Sequence, residues 1–222
     1  MNQHLPHDAL FGNSSMLAGL PDANRAALLA ECPVLTFPET TELLAQEEVP
    51  TGCYLIARGR VEISHVDRQG NVMILNVSGP GEVVGEAEIF SGQACVATCT
   101  ALAGTVAMFC TAEALNRHVP AELLLRNISH MLHARLENDI HGRLIAQFSP
   151  PDQRICHHIL QFTAPEAPET RLSQAYLASL AGCSRQTVNR RLGELRRDGV
   201  IEVKRETIRV LDRARLQTEA GI

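Results

Sequence analysis

The stretch "LSQAYLASLAGCSRQTVNRRLGELRRDGVIEVKRETIRVL", residues 172–211, decides how the C-terminal third folds. Ser173 stands where a helix N-cap belongs, and Leu177 and Leu180 are spaced to face inward. Gly182 permits a tight turn, and Ser184 caps a second helix whose Val188, Leu192 and Leu195 fall on one buried face. Asp198-Gly199 ends that helix, and "VIEVKRETIRVL" alternates as a two-stranded wing. Caps, turn and wing in register predict a winged helix-turn-helix.

The second helix carries the chemistry of sequence readout. Arg185, Gln186 and Asn189 fall in its first two turns with Arg190, and N-terminal residues of such a helix reach base edges in the major groove. Arginine pairs bidentately with guanine, and glutamine or asparagine with adenine. Ser184, Thr187 and the helix N-terminus suit phosphate contacts. Net charge is −5 over the chain, which argues against nucleic acid if read as an average. Yet Arg185–Arg197 holds five arginines (185, 190, 191, 196, 197) and one acid, Glu194. Such a basic face inside an acidic protein is the electrostatic footprint of a nucleic-acid surface. Double-stranded DNA is therefore the expected partner.

Working outward, "SPPD" at 149–152 punctuates the chain, with two prolines to halt a preceding helix and Asp152 placed to cap the next. Beyond it, three helical segments and a final hairpin are expected. Before it, residues 121–148 read as one long helix with Ile128, Leu132, Leu136, Ile140 and Leu144 in a continuous stripe. The stripe either packs on its own N-terminal domain or pairs with its copy in a homodimer. A dimer suits a helix-turn-helix, because two copies would read an inverted repeat with half-sites about one helical turn apart. "TAEALNRHV" reads as a short helix ending at Pro120, and Asp22 as the N-cap of another over "ANRAALLAEC". From Val34 to about Cys110, short β-branched runs alternate with Gly-rich turns, the pattern of a small all-β roll. One hairpin turns at Gln69-Gly70-Asn71. The boundaries read as a roll at 1–120, a dimerisation helix and hinge at 121–149, and a DNA-binding domain at 150–222.

Composition sets outer limits. Hydrophobic residues at 45% and charged residues at 20% are the balance of a globular protein. There is no apolar run of about 18 residues, and the N-terminus lacks the basic start and apolar core of a secretion signal. A cytoplasmic protein with no membrane partner is expected. The seven scattered cysteines include no CxxC and fit no disulfide framework. A cupin-type metal enzyme would need an H-x-H pair in the roll, and residues 34–110 contain none, so no enzymatic activity is expected.

Roll, long helix and winged helix-turn-helix in this order resemble the CRP/FNR family of bacterial transcription regulators. The resemblance covers nearly the whole chain and rests most on "GCSRQTVNRRL" (182–192), "YLIARGRVEI" (54–63) and "PGEVVGEAEIF" (80–90). It implies an α+β architecture: a jelly-roll-like, cyclic-nucleotide-binding-like β-roll, a long dimerisation helix and the winged domain. It also implies base readout by the residues at Arg185, Gln186 and Arg190, and RNA polymerase as a partner. The family's cyclic-AMP receptors usually carry Glu where Gln186 stands, so adenine or relaxed specificity is expected there.

The same resemblance bears on the effector. Gly85 and Glu86 match the receptors' Gly-Glu pair, which holds the nucleotide. The Arg-Ser pair that holds the cyclic phosphate falls at Cys95-Val96, and the helix segment "LENDIHG" offers no Thr or Ser for the base. Burying a phosphate against Cys and Val would cost several kcal/mol uncompensated. Cyclic AMP is therefore disfavoured and the effector is left open. Cys95 and Cys99, four apart, would share a face of one strand and could form a thiol sensor, or serve as small buried hydrophobes. Haem through His65, His130, His133 or His141 is a further alternative, as is a nucleotide held by unfamiliar contacts.

Overall fold

A computed structural model describes residues 11–12, 14–165, 167–205 and 207–222. Most of the N-terminal segment read for a secretion signal, and Glu206 of the wing, lie outside the described residues. The chain divides into two compact units, Met1–Arg135 and Leu136–Ile222.

In the first unit, a 3-10 turn at Ser15–Leu17 precedes helix α1 (Asp22–Glu31). Eight strands follow: β1 Val34–Phe37, β2 Thr41–Leu44, β3 Cys53–Arg58, β4 Val61–Val66, β5 Val72–Ser78, β6 Val83–Val84, β7 Thr98–Ala101 and β8 Thr105–Cys110. They form two four-stranded antiparallel sheets, ordered β1-β8-β3-β6 and β2-β7-β4-β5. The β4–β5 hairpin turns as the sequence predicts. Asp67 closes it, its Oδ1 accepting the Gln69 and Asn71 N–H groups at 2.8 and 2.9 Å. Inside the roll, Leu44, Ile56, Val61, Val84, Cys95 and Cys99 pack together. A second core lies on the first sheet, where Met16, Leu17, Leu28, Leu55, Met108 and Leu115 are all buried.

Between β6 and β7 a short helix, α2 (Glu86–Ser91), breaks the roll. The turn into it requires Gly85, whose φ of 88° is left-handed and whose absent Cβ would lie 2.7 Å from Leu44 Cδ1. Helix α3 (Ala112–His118) is capped by Thr111 and leads through Pro120 into α4 (Ala121–Phe148). This long helix passes Gly142 without a break. Its first turns are fixed by Asn127, buried, whose amide donates to the Met16 and Ala18 carbonyls at 2.8 and 2.9 Å.

The second unit holds α5 (Pro151–Gln161), β9 (Glu169–Arg171), α6 (Gln174–Ala181), α7 (Arg185–Arg197), β10 (Ile201–Lys204), β11 (Thr207–Val210) and α8 (Arg213–Ala220). Strands β10 and β11 are the expected wing, and β9 adds a third strand against β11. The chain does not end in a hairpin, because Asp212 caps the further helix α8, which buries Leu216. Two expected caps are displaced by proline. Asp22 and Asp152 lie within the first turns of α1 and α5, whose N-caps are Pro21 and Pro150.

Candidate nucleic-acid interface and interior pocket

Ser173 and Ser184 cap α6 and α7 as predicted, each side-chain oxygen accepting a backbone N–H three residues on at 3.1 Å. Gly182 takes the left-handed conformation between the two helices. Val188, Leu192 and Leu195 are buried, which turns Arg185, Gln186, Asn189 and Arg190 outward to an exposed face. Leu180 is half-buried, and Ala178 and Ala181 complete the inner face of α6. Ser184 and Thr187 also join hydroxyl to hydroxyl at 2.9 Å.

The five arginines divide by role. Arg191 belongs to the interior: its side chain is 12% exposed, with Nη2 2.6 Å from Glu219 and Nη1 3.3 Å from Glu194. It lies three residues after Val188 and four before Leu195, on the apolar stripe, and that spacing could have revealed it. Arg190 is exposed but engaged, pairing with Asp152 and Glu194 at 2.6 Å each. Glu194 is held below the usual carboxylate range chiefly by the Arg190 hydrogen bond. Asp152 thus meets the recognition helix instead of capping its own.

In the roll, Glu86 is 0% exposed, and Arg135 of α4 brings Nη2 to 2.7 Å from its Oε1. Burial pushes the Glu86 carboxyl up, opposed by the Arg135 charge. Arg135 Nη2 also donates to the Val83 carbonyl at 3.1 Å. Glu86 Oε2 has no hydrogen-bond partner among the described residues. Sequence reasoning missed Arg135. The signal was available, since a buried carboxylate needs a cation.

The other pocket residues are placed unequally. Cys95 is buried, but Val96 is 74% exposed and points outward, so it does not line the interior. Its carbonyl meets His65 Nδ1 at 2.9 Å. Cys95 and Cys99 do not share a strand, because β7 begins at Thr98 and Cys95 lies in the preceding loop. Burial raises both thiols, Cys99 to about 12, and the negative field of Glu88 adds to this. A thiolate is disfavoured at both, which weakens the thiol-sensor reading there. Beside Cys95 a cleft of about 210 Å³ opens, lined also by Glu48, Thr51, Tyr54 and Phe109. Glu86 is not in its wall. His130, His133 and His141 are exposed on α4, and no group of three or more His, Cys, Asp or Glu among the described residues is arranged to hold a metal. His157 and His158 are both half-buried, their rings T-shaped with centroids 5.8 Å apart.

Along α4, Ile128 packs on the roll core. Leu132, Leu136, Ile140 and Leu144 remain 43%, 58%, 51% and 49% exposed in the single chain. No helix among the described residues is long and apolar enough to cross a membrane.

Residues 34–119 match the family described as a cyclic nucleotide-binding domain, and residues 153–219 the Crp-like helix-turn-helix domain. The chain is 25% identical to the CRP-like cAMP-activated global transcriptional regulator of Mycobacterium tuberculosis, over 96% of this chain and 99% of that one. It is 28% identical to the cyclic AMP receptor protein of Thermus thermophilus, over 82% and 85% of the two chains. Among solved structures, FixK2 from Bradyrhizobium japonicum superposes with a TM-score of 0.71 at 18% identity, over 84% and 96%, a likeness of fold. With both domains in this order, relatives aligned along almost the whole chain and the fold shared, the chain belongs to the CRP/FNR family of transcription regulators, with a cyclic nucleotide-binding-type roll and a DNA-binding helix-turn-helix.

Proposed function

We propose that this chain is a homodimeric, sequence-specific DNA-binding regulator that reads an inverted repeat with α7, contacts RNA polymerase and answers a signal other than cyclic AMP. The observation that carries the reading is the exposed row Arg185, Gln186 and Asn189 over the buried Val188, Leu192 and Leu195. Ser184 and Thr187 flank the row for phosphate contacts, and Arg190 joins it once released from its ion pairs. The dimer rests on the exposed stripe Leu132, Leu136 and Ile140, with Ile128 at its roll end. The chain then works as a roll at 1–120, a dimerisation helix and hinge at 121–149 and a DNA-binding domain at 150–222, in the cytoplasm and without catalysis.

The effector reading rests on charge. Glu86 already holds Arg135, Glu88 adds negative field, and Cys95 stands where the receptors bind phosphate. An anionic phosphate there would lack a free cation to offset its desolvation. A second reading, a nucleotide-responsive regulator, is supported by Gly85 and by Glu86 Oε2, a buried acceptor able to take a ligand hydroxyl.

The test is operator selection from random duplexes, then fluorescence anisotropy on the selected site. Wild type should bind as a dimer, with log affinity falling about 0.9 per log unit of salt for each phosphate contact. Arg185→Ala should lose roughly 1–3 kcal/mol of discrimination at one base pair per half-site. Unchanged specificity or a flat salt response overturns the reading. Calorimetric titration with cyclic AMP and cyclic GMP decides the effector: no heat supports the proposal, and micromolar binding establishes the second reading.

A further inference from the structure

Three cysteines with no part in the interface or pocket lie in one row across the first sheet. Strand β8 sits between β1 and β3, and Cys110 at its end faces Cys53 at the start of β3. On the other flank, β1 pairs Val34 with Met108. One residue further back, the Phe109 N–H donates to the Pro33 carbonyl at 3.0 Å. Continuing that register brings Cys32, extended at φ −91° and ψ 125°, opposite Cys110. All three side chains belong to the same buried core.

The ladder tells the two pairs apart. Hydrogen-bonded and non-hydrogen-bonded rungs alternate between antiparallel strands, with Cα separations of about 5.5 and 4.5 Å. The Phe109–Pro33 bond makes its rung hydrogen-bonded, so Cys32 and Cys110 form the closer kind. The Cys110 carbonyl turns the other way, toward β3, where a Cβ on Gly52 would lie 2.7 Å from it. Disulfides span Cα distances of about 4.4–6.8 Å, so Cys110 reaches both neighbours and Cys32 at the shorter distance. Only Cys32 is open to solvent at all, at 5% against 0% for Cys53 and Cys110.

We propose that Cys32 and Cys110 are a dithiol that a hydroperoxide closes to a disulfide. The Cys110 thiol donates to the Cys32 sulfur, which makes the Cys32 thiol more acidic than usual, while the loss of that bond and burial push the Cys110 pKa far up. Cys32 is therefore the attacking sulfur. Its thiolate displaces alkoxide or hydroxide from the peroxide, the O–O bond breaks, and the leaving oxygen takes a proton, giving a sulfenic acid. The Cys110 sulfur then attacks that sulfur, the S–O bond breaks, and hydroxide departs as water with the Cys110 proton. Two thiols lose two electrons and the peroxide gains them. The bond would tie the end of α1 to the end of β8, one residue before Thr111 caps α3. A purely structural role, three small hydrophobes filling a core, predicts no such bond.

The full-length protein is treated with hydrogen peroxide, blocked with iodoacetamide and digested without reductant for mass spectrometry. The expected product is a Cys32–Cys110 crosslinked peptide, reversed by dithiothreitol, with thiols titrated in denaturant falling from seven to five per chain. Cys32→Ser should abolish it, and Cys53→Ala should leave it unchanged. Should Cys110→Ser not fold, those two variants suffice. Seven thiols persisting, oxidation confined to Cys183, or a Cys53–Cys110 bond as the main product overturns the proposal.

Discussion

Replacing Arg135 with alanine tests how the roll tolerates a carboxylate at its centre. Glu86 is fully buried, and Arg135 is the cation paired with it at 2.7 Å. Breaking a fully buried ion pair costs about 3–5 kcal/mol. Arg135 is 36% exposed, so water screens part of its charge, and about 1–3 kcal/mol is the expected loss for this variant. For a chain of this length that lowers the melting transition by roughly 2–4 °C per kcal/mol. The pH dependence gives the sharper signature. Burial already raises the Glu86 carboxyl, and removing Arg135 raises it further. A carboxyl whose folded value lies above its unfolded one loses stability as pH rises through the folded value. The deficit of Arg135→Ala should therefore be larger at pH 8 than at pH 5, where the proton neutralises the stranded charge. Scanning calorimetry of wild type, Arg135→Ala, Glu86→Gln and the double variant closes the cycle. The double variant should recover most of the loss, since no buried charge remains. Equal stability of Arg135→Ala and wild type at both pH values would refute the claim that the pair is energetically coupled.

Asp152→Asn should strengthen operator binding by about two- to five-fold in anisotropy titrations, because Arg190 would no longer be shared with an exposed carboxylate. Weaker binding would mean that the pair preorganises Arg190 for DNA. Gly85→Ala should destabilise the roll by about 1–2 kcal/mol, read as a lower urea midpoint, since φ of 88° is left-handed backbone. Burial lowers the pKa values of His157 and His158, so both fold in the neutral form. Stability from these groups should be complete above about pH 6.5 and fall as pH drops below it. His157→Gln should flatten that decline in thermal melts at pH 5–7, and an unchanged profile would assign it to other groups.

The helix-turn-helix was legible because its information is local: two serine caps, a glycine turn and one apolar face on a helix of thirteen residues. The roll was legible as a class for the same reason, through alternation and turns. What escaped was made by distant partners. Strand β9 is only Glu-Thr-Arg and exists because β11 pairs with it. Helix α8 is eight residues long and buries just Leu216 and Ala220, too weak a stripe to announce itself. Arg135 reads as one more solvated helix residue until β6 and α2 bring Glu86 to it. The outward turn of Val96 depends on where β7 begins, which neighbouring residues do not specify.

Strand β8 is the inner partner of both β1 and β3, so β1 cannot join that layer before Cys110 is synthesised, although β6 can already pair with β3. The β4–β5 hairpin, by contrast, closes over a few residues. Long-range pairing delays folding, since loop closure must precede any contact it rewards. A nascent chain emerging from a ribosome would thus hold its hairpin early and wait for about half its length before the roll could shut. During that interval the apolar sides of β1 and β3 face solvent unprotected, the window in which a chaperone would find this protein.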